Sequence, residues 1–344
     1  MACVNLALHA MATRFELVLP GDHTASLRAA GEEVLEEIQR LEARLSLFQP
    51  HSEIAQVNRR AAKEPVPVTP PVFALLDHAR RLSEESAGAF DITVAPLVRC
   101  WGFMGGDGEL PKAEDLAAAR ACMGMGLVRL DPANYTVAFT REGVMLDLGA
   151  IGKGYAIERA IGMLREAGIT SALFHRGTST VYALGQPPDA DCWRIAIQIP
   201  PQDPDLPYAR LAWQPGHAAT STPAMQPVLD RATEPLIVTV PLRDEALSVS
   251  AVWGKFFHAD GKKFGHVLDP RTGQPVARAA LALVALPSAT ETDALSTALL
   301  VEGAEGHDRI AALRPGMKTL LAVETEGGFR LEGRGLPLAS PPGR

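Results

Sequence analysis

Residues 280–303 read ALALVALPSATETDALSTALLVEG, and this stretch connects an apolar run to an apolar helical pattern through a short turn. The run at 280–286 is typical of a strand, and beyond Pro287 and Ser288 the apolar residues recur at helical spacing. Serine is a favoured residue directly before a helix. We therefore expect a strand, a capped turn and a helix in this order.

Further helices and strands follow each other irregularly on both sides of this stretch. Helical patterns are predicted at 27–45, from Pro70 onward, at 110–126, after the glycines near residue 150, and at 306–316. Strands are predicted at 14–21, 171–177, 179–185, 192–200, 235–240, 246–251, 318–325 and 327–333, with a hairpin over 135–149 and a proline-rich surface loop at 200–216. This mixture is typical of an α+β or mixed α/β fold.

Length and charge limit the classes of function. The 344 residues, of which 47% are hydrophobic and 21% charged, are enough for one large domain or two closely joined ones. Without a break in composition, we expect one domain over 1–344, and the sequence allows a surface insertion near 186–236. The net charge of -7 and the absence of clustered Lys and Arg argue against a nucleic-acid partner.

The cysteines and the first residues indicate the cellular compartment. Cys3, Cys100, Cys122 and Cys192 are scattered without the spacing of a zinc site or a disulfide framework. Residues 1–21 lack a basic start and an apolar stretch long enough for a signal peptide or a membrane span. We expect a cytoplasmic protein with no membrane span, or a periplasmic one if an export signal has been removed.

The glycine-rich stretch DLGAIGKGYAIE at 147–158 precedes a predicted helix. Backbone N–H groups at a helix start can bind phosphate, but the spacing G-x-x-G-x-G matches neither the dinucleotide fingerprint nor the P-loop. Lys153 would lie at the helix N-terminus, where the dipole disfavours a cation unless an anion is bound. A tight turn with Lys153 reaching solvent explains the same pattern, so both interpretations stay open.

Three other motifs are each ambiguous alone. His266, in GHVLDPRTGQPV, is a residue type that moves protons near neutral pH, but an ordinary hairpin with a structural histidine fits equally. Asp293 and Thr297 share one helix face and suit Mg²⁺, although an aspartate near a helix start is often a cap. Residues 88–103, GAFDITVAPLVRCWGF, combine Asp91 with aromatic residues and also fit a core cluster.

Taken together and in order, these motifs resemble those of the ApbE family of FAD:protein FMN transferases. The similar stretches are MAT at 11–13, SLFQPHSEIAQVN at 46–58, residues 88–103, residues 147–155, the His-x-x-Asp-Pro-x-Thr-Gly stretch at 266–273, and DALST at 293–297. The resemblance extends from about residue 8 to 330. It implies an ApbE-like fold, in which a mostly antiparallel sheet is flanked by helices.

The resemblance also implies a reaction and its site. Family members bind FAD with Mg²⁺ and transfer FMN to a threonine hydroxyl of an acceptor flavoprotein with release of AMP, and some hydrolyse FAD to FMN and AMP. The implied FAD-binding residues are Met11, Phe48, Ala89, Phe90, Asp91, Asp147, Lys153 and Val267, and the implied metal ligands are the Ala150 carbonyl, Asp293 and Thr297. His266 is the implied catalytic base, with Asp269 or Asp293 as alternatives.

Several residues depart from the family pattern. Phe48 replaces a usual tyrosine, and VSA ending at Ala251 replaces Thr-Ser-Gly. His175, Thr178 and Ser179 replace the Asn, the second Gly and the Asp of Asn-x-Gly-Gly-Asp. The sequence therefore leaves two hypotheses: an active FMN transferase or FAD pyrophosphatase, and a divergent FAD-binding protein without catalysis.

Overall fold

The computed structural model describes residues 2–177, 179–199, 211–213, 236–325 and 328–336. The helices in these ranges are α1 (Thr24–Leu45), α2 (Glu53–Arg60), α3 (Pro70–Glu85), α4 (Ala95–Cys100), α5 (Ala113–Ala121), α6 (Gly152–Glu166) and α7 (Ala289–Ala311). The strands are β1 (Cys3–Ala10), β2 (Thr13–Pro20), β3 (Val66–Pro67), β4 (Val128–Asp131), β5 (Thr136–Phe139), β6 (Ala172–Arg176), β7 (Thr180–Leu184), β8 (Trp193–Ile199), β9 (Leu211–Trp213), β10 (Leu236–Leu242), β11 (Glu245–Ala251), β12 (Phe256–Ala259), β13 (Lys262–Gly265), β14 (Leu281–Leu286), β15 (Lys318–Thr325) and β16 (Gly328–Arg334).

An eight-stranded antiparallel sheet forms the centre of the fold. Its strand order is β1-β2-β6-β7-β11-β14-β15-β16, and every neighbouring pair in it is antiparallel. Smaller antiparallel sheets are formed by β10-β8-β9, by β3-β5-β4, and by the β12-β13 hairpin. The expected α+β fold with a mostly antiparallel sheet and flanking helices is confirmed.

Strand β14 is buried on both faces, which explains its uninterrupted apolar run. Val284 and Leu286 belong to the core that the large sheet shares with α1, α6 and α7. Leu281 and Leu283 point to the opposite face and pack with Trp193 and other side chains of β8 and β10. Because successive side chains of a strand alternate between faces, a strand between two packed layers needs apolar residues at every position.

Helix α7 follows β14 directly, as the sequence predicted. The Ser288 side chain accepts a hydrogen bond from the Glu291 N–H, so the expected N-cap is present. The helix expected at 306–316 corresponds to the segment of α7 that follows Gly303, and it ends at Ala311. Gly303, with a φ of 65° and a ψ of −157°, is not helical, so α7 consists of two helical segments joined by a kink at this glycine.

The hairpin expected over 135–149 is wrong. Strand β5 pairs with β4, which precedes it, and with β3. Asn58 occupies the place of a strand partner for the following segment, because its side chain amide donates to the Leu146 carbonyl and accepts from the Leu146 N–H, at 2.9 and 2.7 Å. A single side chain on α2 therefore satisfies backbone groups that the sequence pattern assigned to a strand.

The proline-rich segment at 200–216 is only partly described. Its residues 211–213 form β9 rather than loop, and the rest of the segment lies outside the described residues. The small sheet β10-β8-β9 overlaps the 186–236 region where the sequence allowed an insertion, and the single-domain organisation stays a prediction. Within the described ranges, the helices lack the combination of length and apolar character that a membrane span needs.

Candidate active site

A cavity of about 680 Å³ lies where the predicted motifs meet. Its walls come from the loop after α3, the loop before α6, the ends of β6 and β11, the segment after β13, and one face of α7. The predicted site residues that line it are Phe90, Asp91, Asp147, Ala150, Lys153, His266, Val267, Asp293 and Thr297. Segments as far apart in sequence as Phe90 and Thr297 thus converge on one cavity.

Three predicted residues do not line this cavity. Met11 lies in the tight turn between β1 and β2 with a φ of 51°, and its N–H donates to Glu42 at 2.7 Å. Phe48 is 71% exposed, and Ala89 is buried beside Phe90. Their predicted contact with FAD therefore has no counterpart in the walls of the cavity.

Lys153 lies in the first turn of α6, at the positive end of the helix dipole. Its ammonium group donates to the Gly149 carbonyl. Desolvation, together with the nearby Arg176, lowers the Lys153 pKa to about 8, although Asp293 and Asp147 oppose the shift. The side chain is half-buried in the cavity wall and donates to a backbone carbonyl, which does not support the alternative that Lys153 simply reaches solvent.

Gly154 allows α6 and α7 to approach each other closely. A Cβ atom at this position would lie 2.1 Å from the Ala289 carbonyl oxygen and 2.7 Å from the Asp293 Cβ. The Gly154 N–H donates to Asp293 Oδ2 at 2.9 Å. This glycine is thus required by helix packing, and the contact fixes the position of the Asp293 carboxylate.

Oxygen atoms of Asp293 and Thr297 lie on the cavity side of α7. Asp293 is only 7% exposed. The Thr297 hydroxyl lies 3.1 Å from the Ser250 hydroxyl at the end of β11. Among the described residues, no group of three or more His, Cys, Asp or Glu side chains is arranged to hold a metal. A cation bound here would therefore depend on one carboxylate together with hydroxyl and carbonyl oxygens.

Two further aspartates hold the loops around the cavity in place. Asp91 accepts hydrogen bonds from the Thr93 N–H and hydroxyl at 2.7 and 2.6 Å, and burial raises the Asp91 pKa despite these bonds. Asp147 accepts from the Gly149 N–H at 2.7 Å, and its own N–H donates to the Ile92 carbonyl. The loop after α3 and the loop before α6 are thus joined directly.

His266 is placed to accept a proton. Burial lowers its pKa, which favours the neutral imidazole. Its Nδ1 atom lies 3.1 Å from the Lys255 carbonyl, so a proton on Nδ1 leaves Nε2 as the free acceptor. Asp269, an alternative base from the sequence, does not line the cavity, and both of its oxygens accept hydrogen bonds from Arg271.

Sequence reasoning missed several residues of the cavity wall. Arg176, Ser250, Trp253 and Lys255 line it, but none of them was assigned a role, although Arg176 and Ser250 lie in stretches that were compared with the family pattern. For Arg176 a signal existed, since a charged residue that ends the apolar strand ALFHR is unusual in a buried sheet.

The departures from the family pattern fall in different places. Ser179 and Ala251 line the cavity, whereas His175 is half-buried on β6 away from its walls. Burial lowers the His175 pKa. Thr178 lies outside the described residues. Among these substitutions, Ser179 and Ala251 are thus the ones placed to contact a ligand in the cavity.

A sequence profile and two named relatives indicate the same protein family. A sequence profile described as the ApbE family matches residues 11–321. A relative from Treponema pallidum (strain Nichols), named FAD:protein FMN transferase, is 30% identical over 303 residues, which cover 86% of this chain and 77% of the relative. A relative of the same name from Klebsiella pneumoniae (strain 342) is 27% identical and covers 89% of this chain and 79% of its own length.

Solved structures agree with the sequence relatives. The ApbE protein from Thermotoga maritima is 26% identical, with a TM-score of 0.77 and coverage of 96% of both chains. The Pseudomonas stutzeri flavinyl transferase ApbE, in its apo form, is 28% identical, with a TM-score of 0.77 and coverage of 96% of this chain and 94% of that one. From its sequence, its fold and its matched motifs, this chain belongs to the ApbE family.

Proposed function

We propose that this protein is an FAD:protein FMN transferase, which moves FMN from FAD to a threonine hydroxyl of an acceptor flavoprotein and releases AMP. Family membership and the names of the relatives support flavin transfer. The observation that carries the proposal is the single cavity in which Lys153, His266, Asp293 and Thr297 meet. This set combines a cation, a proton acceptor and hard oxygen ligands.

The cavity is suited to a large flavin nucleotide. Its volume of about 680 Å³ lies within the range of roughly 300 to 1,000 Å³ that is common for ligand pockets. Phe90, Phe103 and Trp253 contribute aromatic side chains to its wall, and such side chains suit an isoalloxazine or adenine ring. Lys153 supplies a positive charge for a phosphate group.

The oxygen atoms near α7 fit Mg²⁺. The side chains of Asp293 and Thr297 and the carbonyl of Ala150 would hold the ion, because Mg²⁺ prefers hard oxygen ligands and binds through few protein groups together with substrate phosphate. When bound, Mg²⁺ supplies positive charge that stabilises the pyrophosphate oxygens during transfer.

The transfer itself is an attack of an oxygen on phosphorus. The threonine hydroxyl oxygen forms a new bond to the phosphorus of the FMN half, and the bond from that phosphorus to the bridging oxygen breaks. AMP leaves with the bridging oxygen, and the hydroxyl proton passes to Nε2 of His266. Asp293 is the weaker candidate for the base, since its carboxylate already accepts from Gly154 and is the proposed metal ligand.

The test incubates the protein with FAD, Mg²⁺ and a flavoprotein known to carry FMN on a threonine. We expect AMP in the supernatant and an acceptor mass increase equal to FMN minus water. A matched acceptor with the threonine changed to valine serves as control. His266→Asn should reduce kcat by about 10² to 10⁴ because the base is lost, with FAD binding retained.

Other results would change the assignment. AMP and free FMN without a covalent product would identify an FAD pyrophosphatase, in which water replaces the threonine hydroxyl. FAD binding without any AMP would identify a non-catalytic FAD-binding protein and contradict the proposal.

A further inference from the structure

Arg176 is the last residue of β6 and lines the cavity. Its Nε and Nη1 atoms are both shielded from solvent and have no hydrogen-bond partner among the described residues. Buried side-chain donors nearly always have a partner, and a buried cation without one is costly in free energy. Two unpaired N–H groups in a cavity wall therefore indicate a ligand with acceptor atoms.

The charges around Arg176 favour an anion. Asp293 attracts the guanidinium, but one oxygen of that carboxylate already accepts from the Gly154 N–H. Lys153 is close enough for the two cations to repel each other. A group with two negative charges placed between these cations would relieve the repulsion and provide the missing acceptors.

The chemistry of the side chain selects phosphate among anions. A guanidinium presents parallel N–H donors whose geometry matches two oxygens of a phosphate, whereas lysine acts as a point charge. We propose that Arg176 binds the pyrophosphate of FAD through Nε and Nη1, opposite Lys153, and acts as a substrate-binding residue. This inference rests on the proposed function, because that function makes FAD the ligand.

The test compares ligands with and without phosphate. Binding of FAD, ADP and riboflavin is measured by calorimetry in EDTA, so that no metal contributes. Arg176→Met should weaken the binding of FAD and ADP by about tenfold or more, as expected for the loss of a buried charge-assisted hydrogen bond. Its affinity for riboflavin should not change. Arg176→Lys keeps the charge but loses the parallel N–H donors, so its affinities for FAD and ADP should be intermediate.

A matched control separates this effect from a general loss of charge. Arg129 is exposed on β4 and does not line the cavity. Arg129→Met should bind FAD, ADP and riboflavin as the unchanged protein does. If Arg129→Met weakens FAD as strongly as Arg176→Met, a long-range charge effect explains the result and the inference is wrong.

Thermal unfolding distinguishes binding from a structural role. Because the Nε and Nη1 atoms have no partner to lose, Arg176→Met without ligand should melt at the same temperature as the unchanged protein or higher. Its gain in melting temperature on adding FAD should be smaller. A lower melting temperature together with unchanged FAD affinity would overturn the inference. An equal loss of riboflavin affinity would also overturn it, because Arg176 would then contact the isoalloxazine ring and not the phosphates.

The two proposals fail separately. If the unchanged protein transfers FMN while Arg176→Met binds FAD equally well, only the inference about Arg176 is wrong. If Arg176→Met loses FAD and ADP affinity while the unchanged protein releases no AMP, the proposed function is wrong and Arg176 remains a phosphate-binding residue.

Discussion

Two glycines of α6 differ in how much space their surroundings leave for a side chain. Gly154 faces α7, where a Cβ would collide with the Ala289 carbonyl. Gly162, two turns further along the same helix, has no atom within 4 Å of the place where its Cβ would be. The sequence gives no means of telling these glycines apart, because the difference lies in the neighbouring helix.

Gly154→Ala should therefore be destabilising and should also impair the site. Overpacking of a tight contact costs about 1 to 3 kcal/mol, and a shift of α7 would move Asp293 away from the Gly154 N–H. We expect a lower unfolding free energy in urea and slower AMP release.

Gly162→Ala is the matched control for this prediction. In an open helical position, alanine is favoured over glycine by about 0.5 to 1 kcal/mol, so the unfolding free energy should rise and the rate of AMP release should not change. Equal effects of the two substitutions on the unfolding free energy would show that helix propensity, and not the α6–α7 contact, determines the effect of Gly154→Ala.

At the scale of elements, an ion-pair network connects α3 to α7. Glu291, in the first turn of α7, contacts His78 of α3 at 3.1 Å and Arg314 at 2.9 Å, and Arg314 also pairs with Glu85 at 2.7 Å. Burial alone would raise the Glu291 pKa, but hydrogen bonds from His78 and Arg314 lower it to about 2. The network holds the start of α7 beside the cavity.

This network predicts a pH dependence of stability. A carboxyl whose pKa is lower in the folded state contributes stability above its unfolded pKa, near 4.5, and loses it as the pH falls towards 2. The shift corresponds to on the order of 3 kcal/mol. Glu291→Gln should therefore reduce the unfolding free energy at pH 6, and the difference from the unchanged protein should shrink towards pH 2.

Urea titrations at several pH values measure this difference. Glu33 is exposed on α1 and provides a matched control, since Glu33→Gln should leave the pH profile of the unchanged protein intact. A constant gap between Glu291→Gln and the unchanged protein from pH 6 to pH 2 would contradict the predicted role of the ion pairs.

At the scale of the whole molecule, the cavity is formed by segments that are distant in sequence and do not share a helix or a hairpin. The loop after α3, the loop before α6, the end of β11, the segment after β13 and the start of α7 all contribute walls. Trp101 connects two of the motifs, because its indole N–H donates to the Gly273 carbonyl at 2.9 Å. Unfolding of the sheet would separate these segments, so ligand binding and global folding should be coupled.

FAD should consequently stabilise the entire fold. At a free concentration of 100 times its Kd, a ligand that binds only the folded state adds about 2.7 kcal/mol to the unfolding free energy. We expect a single melting transition that moves to higher temperature with FAD and moves further with FAD and Mg²⁺. EDTA should remove the additional part. A shift confined to a fraction of the unfolding signal would show that the cavity segments unfold independently.

Much of the fold could be predicted from local patterns. The strand, cap and helix at 280–303 were predicted correctly, because the cap is a contact within the segment. The hairpin at 135–149 was predicted wrongly, because Asn58, nearly ninety residues away, satisfies the backbone that the pattern assigned to a strand. Patterns fail where the partner of a backbone group is a distant side chain.

The sequence by itself determined the family, the type of most elements that it predicted, and nine of the residues that line the cavity, because the motifs carry their chemistry in residue type and spacing. Only the tertiary structure decided which of those residues meet: it brings His266, Lys153 and Asp293 to one cavity and leaves Phe48 exposed outside it. It also identified Arg176 as a candidate ligand-binding residue, because two of its N–H groups are buried and unpaired. Pairing and burial depend on contacts between distant segments, and a linear pattern does not contain them.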